Sequence, residues 1–357
     1  MSLERKLMNN KVLLGMSGGV DSSVSALLLK ERGYEVIGCT LELFAGSSCC
    51  NTNTYLDAKR VCSLIGVPHF IFDYKNEFRK YVIDDFIDCY KNCKTPNPCI
   101  ECNKYMKFGL MFEKAKELGC DLIATGHYAK TEYSDKYGRV VLKKSNAGRK
   151  DQSYVLWSCP KEIIEHLVFP LSDFTSKDEI REIARNNNLP VASKPDSEDI
   201  CFVPDGNYKR FLEENSDIKP NPGNIVHVNG EVLGKHNGLY NYTIGQRKGM
   251  GIAYKNPLFV VGFNVAKNEV IVGDYENLFT KEMYVDDINL LAIDRIEGEL
   301  EVEIKTRYSQ NQAKAKIKMT DDGKVLAIFD EPQRAITPGQ SAVFYDGDIV
   351  IGGGKII

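Results

Sequence analysis

The stretch Lys11-Val12-Leu13-Leu14-Gly15-Met16-Ser17-Gly18-Gly19-Val20-Asp21-Ser22 decides the fold. Its first half is a short apolar run, which reads as a strand. Ser17-Gly18-Gly19 ends it, and a helical period follows from residue 20 to about 32, with Val24, Leu27 and Leu28 on one face. Gly33 is the stop signal. Two glycines between a strand and a helix let the backbone approach a ligand closely. The helix N-terminus adds unpaired N–H groups and a partial positive charge. Ser17, Ser22 and Ser23 contribute hydroxyls, so the turn suits a pyrophosphate. The plainer alternative is a glycine turn in which Asp21 or Ser22 merely caps the helix. No Lys follows the glycines and no G-x-G-x-x-G is present, which excludes the Walker and dinucleotide-binding loops.

The same alternation continues outward. Residues 35 to 43 and 68 to 73 read as strands, 55 to 65 and 76 to 90 as helices. A loop bearing Pro and Cys comes next, then a helix from about 104 to 118 and a strand over 121 to 125 that runs into Gly126-His127. Strands and helices joined by short connections predict a parallel sheet covered on both faces. After His127 the pattern changes: a hairpin over 129 to 145, a helix over 177 to 186, a polar loop over 194 to 206. From Gly223 onward nearly everything is strand and turn, with Asn229-Gly230 as a hairpin signal. The expected organisation is an α/β domain over 1–202, a small β-rich module over 203–280 and a C-terminal β-barrel over 281–357.

Composition agrees with several domains, since 357 residues exceed the roughly 100–200 of one domain. An apolar share of 43% with 27% charged residues excludes a disordered or collagen-like chain. The formal charge of -3 means that any nucleic-acid contact must come from local patches. No apolar run approaches the ~20 residues of a membrane span and residues 1–11 are polar, so a cytoplasmic protein without a membrane role is expected. Eleven cysteines, an odd number in so long a chain, argue against a disulfide framework.

Two of those cysteines stand in Thr95-Pro96-Asn97-Pro98-Cys99-Ile100-Glu101-Cys102-Asn103. The prolines predict an extended loop, with the C-x-x-C pair just before a helix whose N-terminus stabilises a thiolate. A structural zinc site needs four ligands and no second C-x-x-C exists. A redox pair and a sulfur-handling or cluster-bearing site remain open, the last needing a further thiol. Cys201, in a polar loop bounded by Pro195 and Pro204, is the candidate. Cys39, Cys62, Cys89, Cys120 and Cys159 read as small core residues. Cys49, Cys50 and Cys93 fall in loop-like stretches with no assigned role. His69, His166, His227 and His236 lack metal-ligand spacing, and Tyr240, Tyr242 and Tyr254 read as packing residues.

Placed between a first strand and a first helix, Ser17 to Ser22 resembles the pyrophosphate (PP) loop of ATP pyrophosphatases, an adenine nucleotide alpha hydrolase-like fold. The ordered set of Gly15 to Ser22, Thr95-Pro96-Asn97-Pro98, Cys102-Asn103, Thr125-Gly126-His127-Tyr128, Lys150-Asp151-Gln152-Ser153-Tyr154, Ser197 to Phe202, Gly245-Gln246-Arg247 and Arg307-Tyr308 closely resembles the bacterial tRNA-specific 2-thiouridylases. The resemblance runs through nearly the whole chain. It implies ATP-dependent 2-thiolation of the wobble uridine of tRNA. ATP with Mg2+ adenylates the uracil 2-oxygen, and a persulfide then supplies sulfur as a soft nucleophile. It implies Gly15, Met16, Ser17, Gly18, Gly19, Val20, Asp21, Ser22, Leu41 and Gly126 as the ATP pocket, with Asp21 also catalytic. Cys201 would bear the persulfide and Cys102 would be its partner, a Cys102–Cys201 disulfide forming as sulfur departs. Asn97, Pro98 and Cys99 would meet the target base. His127, Lys150, Asp151, Gln152, Arg307, Tyr308 and Gln340 would meet other parts of the tRNA. The target base must leave its stack to reach such a pocket. A sulfur-donor or sulfur-relay protein is the implied partner, and a monomer is expected.

Many members carry Asp where this chain has Cys99. A thiol there creates a Cys99, Cys102, Cys201 trio, which suits a 4Fe-4S cluster with one open iron, a route proposed for some members. The sequence leaves the persulfide and cluster routes open. For tRNA grip, Lys143, Lys144, Arg149 and Lys150 form a basic run. Lys314, Lys316 and Lys318 alternate on one strand face beside Arg307, and phosphate contact is the favoured reading. The rivals are another PP-loop ATP pyrophosphatase, either a different tRNA thiolase or an amide-forming synthetase, and an RNA-binding protein without catalysis.

Overall fold

The computed structural model describes residues 9–44, 52–196 and 200–357. Cys49-Cys50 and Ser197, Glu198 and Asp199 of the Cys201 motif lie outside them. The N-terminal unit is a five-stranded sheet. Its strands are β1 (Lys11–Gly15), β2 (Glu35–Glu42), β3 (His69–Asp73), β4 (Leu122–Ala124) and β7 (Leu167–Val168), in the order β3-β2-β1-β4-β7 and all parallel. The central strand explains the layering. Val12, Leu13 and Leu14 are all fully buried, as a strand covered on both faces requires. Val12 and Leu14 join one apolar cluster with Val24 and Leu29 of helix α1 (Val20–Glu31) and Val61 of α2 (Thr52–Ile65). Leu13, pointing the other way, joins a second cluster with Phe78, Phe86, Met106 and Met111.

The expected elements recur with end shifts of a few residues, apart from one boundary. The cysteine loop is not extended up to residue 104. A helix starts at Pro98, running as Pro98–Glu101, a π stretch Cys102–Leu110 and Met111–Glu117. Proline is welcome at the first helical position, where its missing N–H costs nothing. Asn97 caps the helix by accepting from the Cys99 N–H at 3.2 Å. Cys99 and Cys102 therefore stand inside the first turns, on a rigid element.

A four-stranded sheet over Gly223–His227, Val232–His236, Phe259–Asn264 and Glu269–Gly273 forms the central module. Tyr254 stacks on His227 and Tyr242 meets His236 edge-on, the expected packing roles. The last unit is a barrel of Phe279–Leu290, Glu299–Lys305, Ala313–Met319, Val325–Arg334, Ser341–Asp346 and Ile349–Ile356. Its last strand pairs back onto its first, so no edge is left between them. The hairpin of β5 (Ala129–Ser134) and β6 (Arg139–Lys144) extends this barrel sheet through Ile349 opposite Lys143. Trp157, the only tryptophan in the chain, is buried at this joint. A Cβ on Gly353 would lie 2.9 Å from its ring, so the glycine lets the ring lie on the barrel strand. Asn289 fastens the joint by donating to the Trp157 and Cys159 carbonyls at 2.7 and 2.8 Å.

Candidate functional site

At the end of β1 the Met16 N–H donates to the Cys39 carbonyl at 2.7 Å, and Thr40 Oγ1 donates to the Met16 carbonyl at 2.8 Å. Neighbouring β2, where Leu41 also lies, thus sets the height of the turn. Gly18 follows at φ +67° with Thr54 of α2 against it; a Cβ there would sit 2.1 Å from the Thr54 carbonyl oxygen. Only glycine fits. Gly19 is the N-cap of α1 and supplies no side-chain cap, so α1 presents its N-terminus without one of its own. Ser22 Oγ instead accepts from the Ser17 N–H at 3.2 Å, closing the turn on itself. Gly126, just past β4, backs it: a Cβ on Gly126 would lie 2.9 Å from the Ser22 nitrogen.

Distant cations converge on this turn. Asp21 accepts from Tyr128 Oη at 2.8 Å and pairs with Lys177. Lys177 also meets Asp196 at 3.1 Å, which Arg181 contacts at 2.9 Å and Lys150 at 3.6 Å. Burial opposes the Asp196 charge, but the Lys177 hydrogen bond and the three cations hold its carboxyl below the usual value. Burial and the adjacent Asp21 carboxylate raise the Tyr128 phenol, which stays a donor. Lys194 donates to the Gly18 carbonyl at 2.9 Å and pairs with Asp57 at 2.8 Å. Sequence reasoning missed Lys177 and Lys194. The signal for Lys177 is its place directly after the Ser176 cap, since a cation in a helix's first turn opposes the dipole.

The thiols form a second group. Cys102 is nearly buried in the large apolar cluster, and half-buried Cys201 packs against the same cluster; Cys99 is exposed. None of the nine described cysteines is in a disulfide. Among the described residues no three Cys, His, Asp or Glu side chains gather into a metal-holding set. The Cys99, Cys102, Cys201 trio therefore does not fit a cluster as the side chains stand. Cys39, Cys62, Cys120 and Cys159 are buried, as read, and burial pushes the Cys62 thiol up to about 12. Cys89 is only half-buried.

The residues expected at the tRNA divide in two. Lys150 and Tyr308 are exposed. Asp151, Gln152, Arg307 and Gln340 are engaged within the protein. Asp151 is buried and accepts from the Ser145 N–H at 2.9 Å and Ser153 Oγ at 2.7 Å; burial raises its carboxyl. Gln152 Oε1 accepts from the Tyr128 N–H at 2.9 Å, tying this segment to the Asp21 network. Arg307 donates to the Ile244 carbonyl at 3.0 Å and to Ala335 at 3.3 Å, joining central module to barrel. Gln340 donates to the Thr95 carbonyl at 2.8 Å. His127 lies between Phe108 and Phe169 with its Nδ1 2.7 Å from Thr125 Oγ1. Burial, with nearby Lys107, keeps the imidazole neutral.

The lysine strip needs correction as a phosphate grip. Lys314, Lys316 and Lys318 do share an outer face, but they stand opposite Glu303, Glu301 and Glu299 on the adjoining strand. This is a neutralised ladder of cross-strand pairs, and Lys316 contacts Glu299 at 2.9 Å. Lys143 is likewise spent on Glu132 at 3.2 Å, and Lys144 on Gln312.

A parallel sheet whose first strand and first helix are joined by this glycine turn, backed by Gly126, defines a PP-loop protein of the adenine nucleotide alpha hydrolase-like class. Family models match as a tRNA methyl transferase HUP domain over residues 10–205, a PRC-barrel domain of the same group over 209–274 and an aminomethyltransferase beta-barrel domain over 280–356. The tRNA-specific 2-thiouridylase MnmA of Clostridioides difficile is 47% identical over 356 residues, covering 98% of both chains. That of Caldicellulosiruptor saccharolyticus is 48% identical over 358 residues, covering 98% of this chain and 99% of the relative. The chain belongs to the tRNA-specific 2-thiouridylase family. A solved U34-tRNA thiolase, NcsA of Methanococcus maripaludis with its [4Fe-4S] cluster, is 21% identical with a TM-score of 0.36. It covers 59% of this chain and 69% of its own, a likeness too slight to bear on the site.

No helix among the described residues is long and apolar enough to cross a membrane.

Proposed function

We propose that the chain is an ATP-dependent tRNA-uridine 2-sulfurtransferase acting on the wobble uridine. The observation that carries this reading is relatives named tRNA-specific 2-thiouridylase at 47–48% identity over nearly the whole chain. ATP enters with Mg2+ and lays its phosphates on the turn 17–19 and the α1 N-terminus. The uracil 2-oxygen attacks the α-phosphorus and pyrophosphate leaves, which makes a poor leaving group into AMP. The terminal sulfur of a Cys201 persulfide attacks C2 and AMP departs. The Cys102 thiolate then attacks Cys201 Sγ and breaks its bond to the transferred sulfur, leaving a Cys102–Cys201 disulfide. A sulfur-relay protein reloads Cys201 once a dithiol has reduced that disulfide. His127, neutral and held through Nδ1, offers Nε2 as a hydrogen-bonding group to RNA. The chain works in the cytoplasm as a monomer.

The test is Cys201→Ser with tRNA and ATP. Thiolation is lost while tRNA-dependent pyrophosphate release continues; undiminished sulfur transfer sinks the assignment. No tRNA-dependent pyrophosphate release from the unaltered protein would favour an RNA-binding protein without catalysis.

A further inference from the structure

The barrel meets the cysteine helix before the thiols, between them, and just after them, where Lys104 pairs with Asp287 at 3.7 Å. Before them, the Thr95 N–H donates to the Pro338 carbonyl at 2.9 Å and Gln340 Nε2 donates to the Thr95 and Pro96 carbonyls at 2.8 and 3.4 Å. Between them, Glu101 Oε1 meets the Lys355 ammonium at 2.9 Å. The first two contacts issue from one seam. Lys355 lies opposite Asp286 and Ser341 where the last strand closes the barrel, and the Ile356 N–H donates to the Gln340 carbonyl at 2.8 Å. The Glu101 side chain is only 7% exposed, immediately before Cys102. A buried carboxylate without a cation must neutralise or leave its site. Lys355 also contacts Asp85 at 3.4 Å, and Asp85 in turn lies 3.9 Å from Cys89 Sγ.

We propose that Lys355 is a positioning residue for Cys102: by anchoring Glu101 to the barrel seam it fixes the turn of helix that presents the thiol. Among the described residues Lys355 is the one barrel cation paired with Glu101, so its loss loosens that turn while residues 95–96 stay clamped by Gln340 and Lys104 stays paired with Asp287. The role in turnover rests on the functional reading above, in which Cys102 resolves the Cys201 persulfide.

The experiment compares Lys355→Met, Lys355→Arg and Glu101→Ala in the full chain. Lys355→Met lowers kcat for thiolation about tenfold, as expected when a reacting group is displaced by a fraction of an ångström or more. KM for tRNA and for ATP stays within about twofold, because neither binding surface is touched. Lys355→Arg recovers most of the rate. Glu101→Ala leaves Lys355 paired with Asp85, so it guards against misfolding of the Met variant and shows the same split. A second readout needs no turnover: the iodoacetamide alkylation of Cys102 relative to Cys99 in the same molecule, by peptide mass spectrometry. The ratio rises in Lys355→Met and Glu101→Ala and returns in Lys355→Arg. An unchanged ratio in both overturns the proposal, even where kcat falls together with melting temperature. An unaltered enzyme that fails to thiolate overturns the functional reading alone, because the alkylation ratio is still read.

Discussion

Tyr128 donates a 2.8 Å hydrogen bond to Asp21 across 107 residues of chain. It joins the segment after the fourth strand to the first turn of the first helix, beside the glycine turn. With Lys177 on the other carboxylate oxygen, Asp21 is held from two sides.

Lys177→Met leaves Asp21 and Asp196 short of a cation beside an anion site. KM for ATP in tRNA-dependent pyrophosphate release should rise roughly tenfold, equivalent to about 1.4 kcal/mol. An unchanged KM removes Lys177 from the phosphate environment.

Asp196 gives the fold a pH dependence of known sign. Its folded-state carboxyl is depressed, so its contribution is fully present above the unfolded value of about 3.9 and is lost as pH falls through the folded one. Urea midpoints from pH 6 down to pH 3 should fall less steeply for Asp196→Asn than for the unaltered chain.

Cys99→Ser should keep most of the thiolation activity, whereas Cys102→Ser and Cys201→Ser abolish it. The three thiols are not gathered as a metal-holding set, so the persulfide route needs only the latter two. Iron and sulfide analysis of anaerobically purified protein checks this; bound iron that Cys99→Ser removes, together with lost activity, decides for the cluster.

Lys316→Ala should leave tRNA affinity unchanged and alter stability by no more than about 0.5 kcal/mol, because its charge is answered by Glu299 and Glu301. Lys150→Ala should weaken tRNA binding and flatten its salt dependence by about one unit of slope. Filter binding at several salt concentrations separates the two.

Residues 11–33 were readable because strand, glycine turn and helix are local, each with its own signal. The helix over Lys177–Asn186 was readable for the same reason, with a capping box at Ser176 and Glu179. Pro98 misled because a proline reads as a breaker until its position is known; at the start of a helix it is compatible. The strand Phe279–Leu290 has no separate signal because seven of its twelve residues are exposed and only Met283 and Val285 are buried, which hides the alternation. Lys177 and Lys194 reach the turn from 156 and 176 residues away, so no window of sequence joins them to it. The glutamate answer to the lysine strip needs strand register, which spacing alone does not supply.

The ring lodged between Gly353 and the α/β unit gives the molecule a built-in optical gauge. Because Trp157 is the sole indole among 18 tyrosines, emission excited beyond the tyrosine band reports on one joint. A red shift on denaturation marks the moment at which the barrel separates from the unit that carries the thiols. A shift on adding tRNA measures, without any label, whether the substrate strains that same joint.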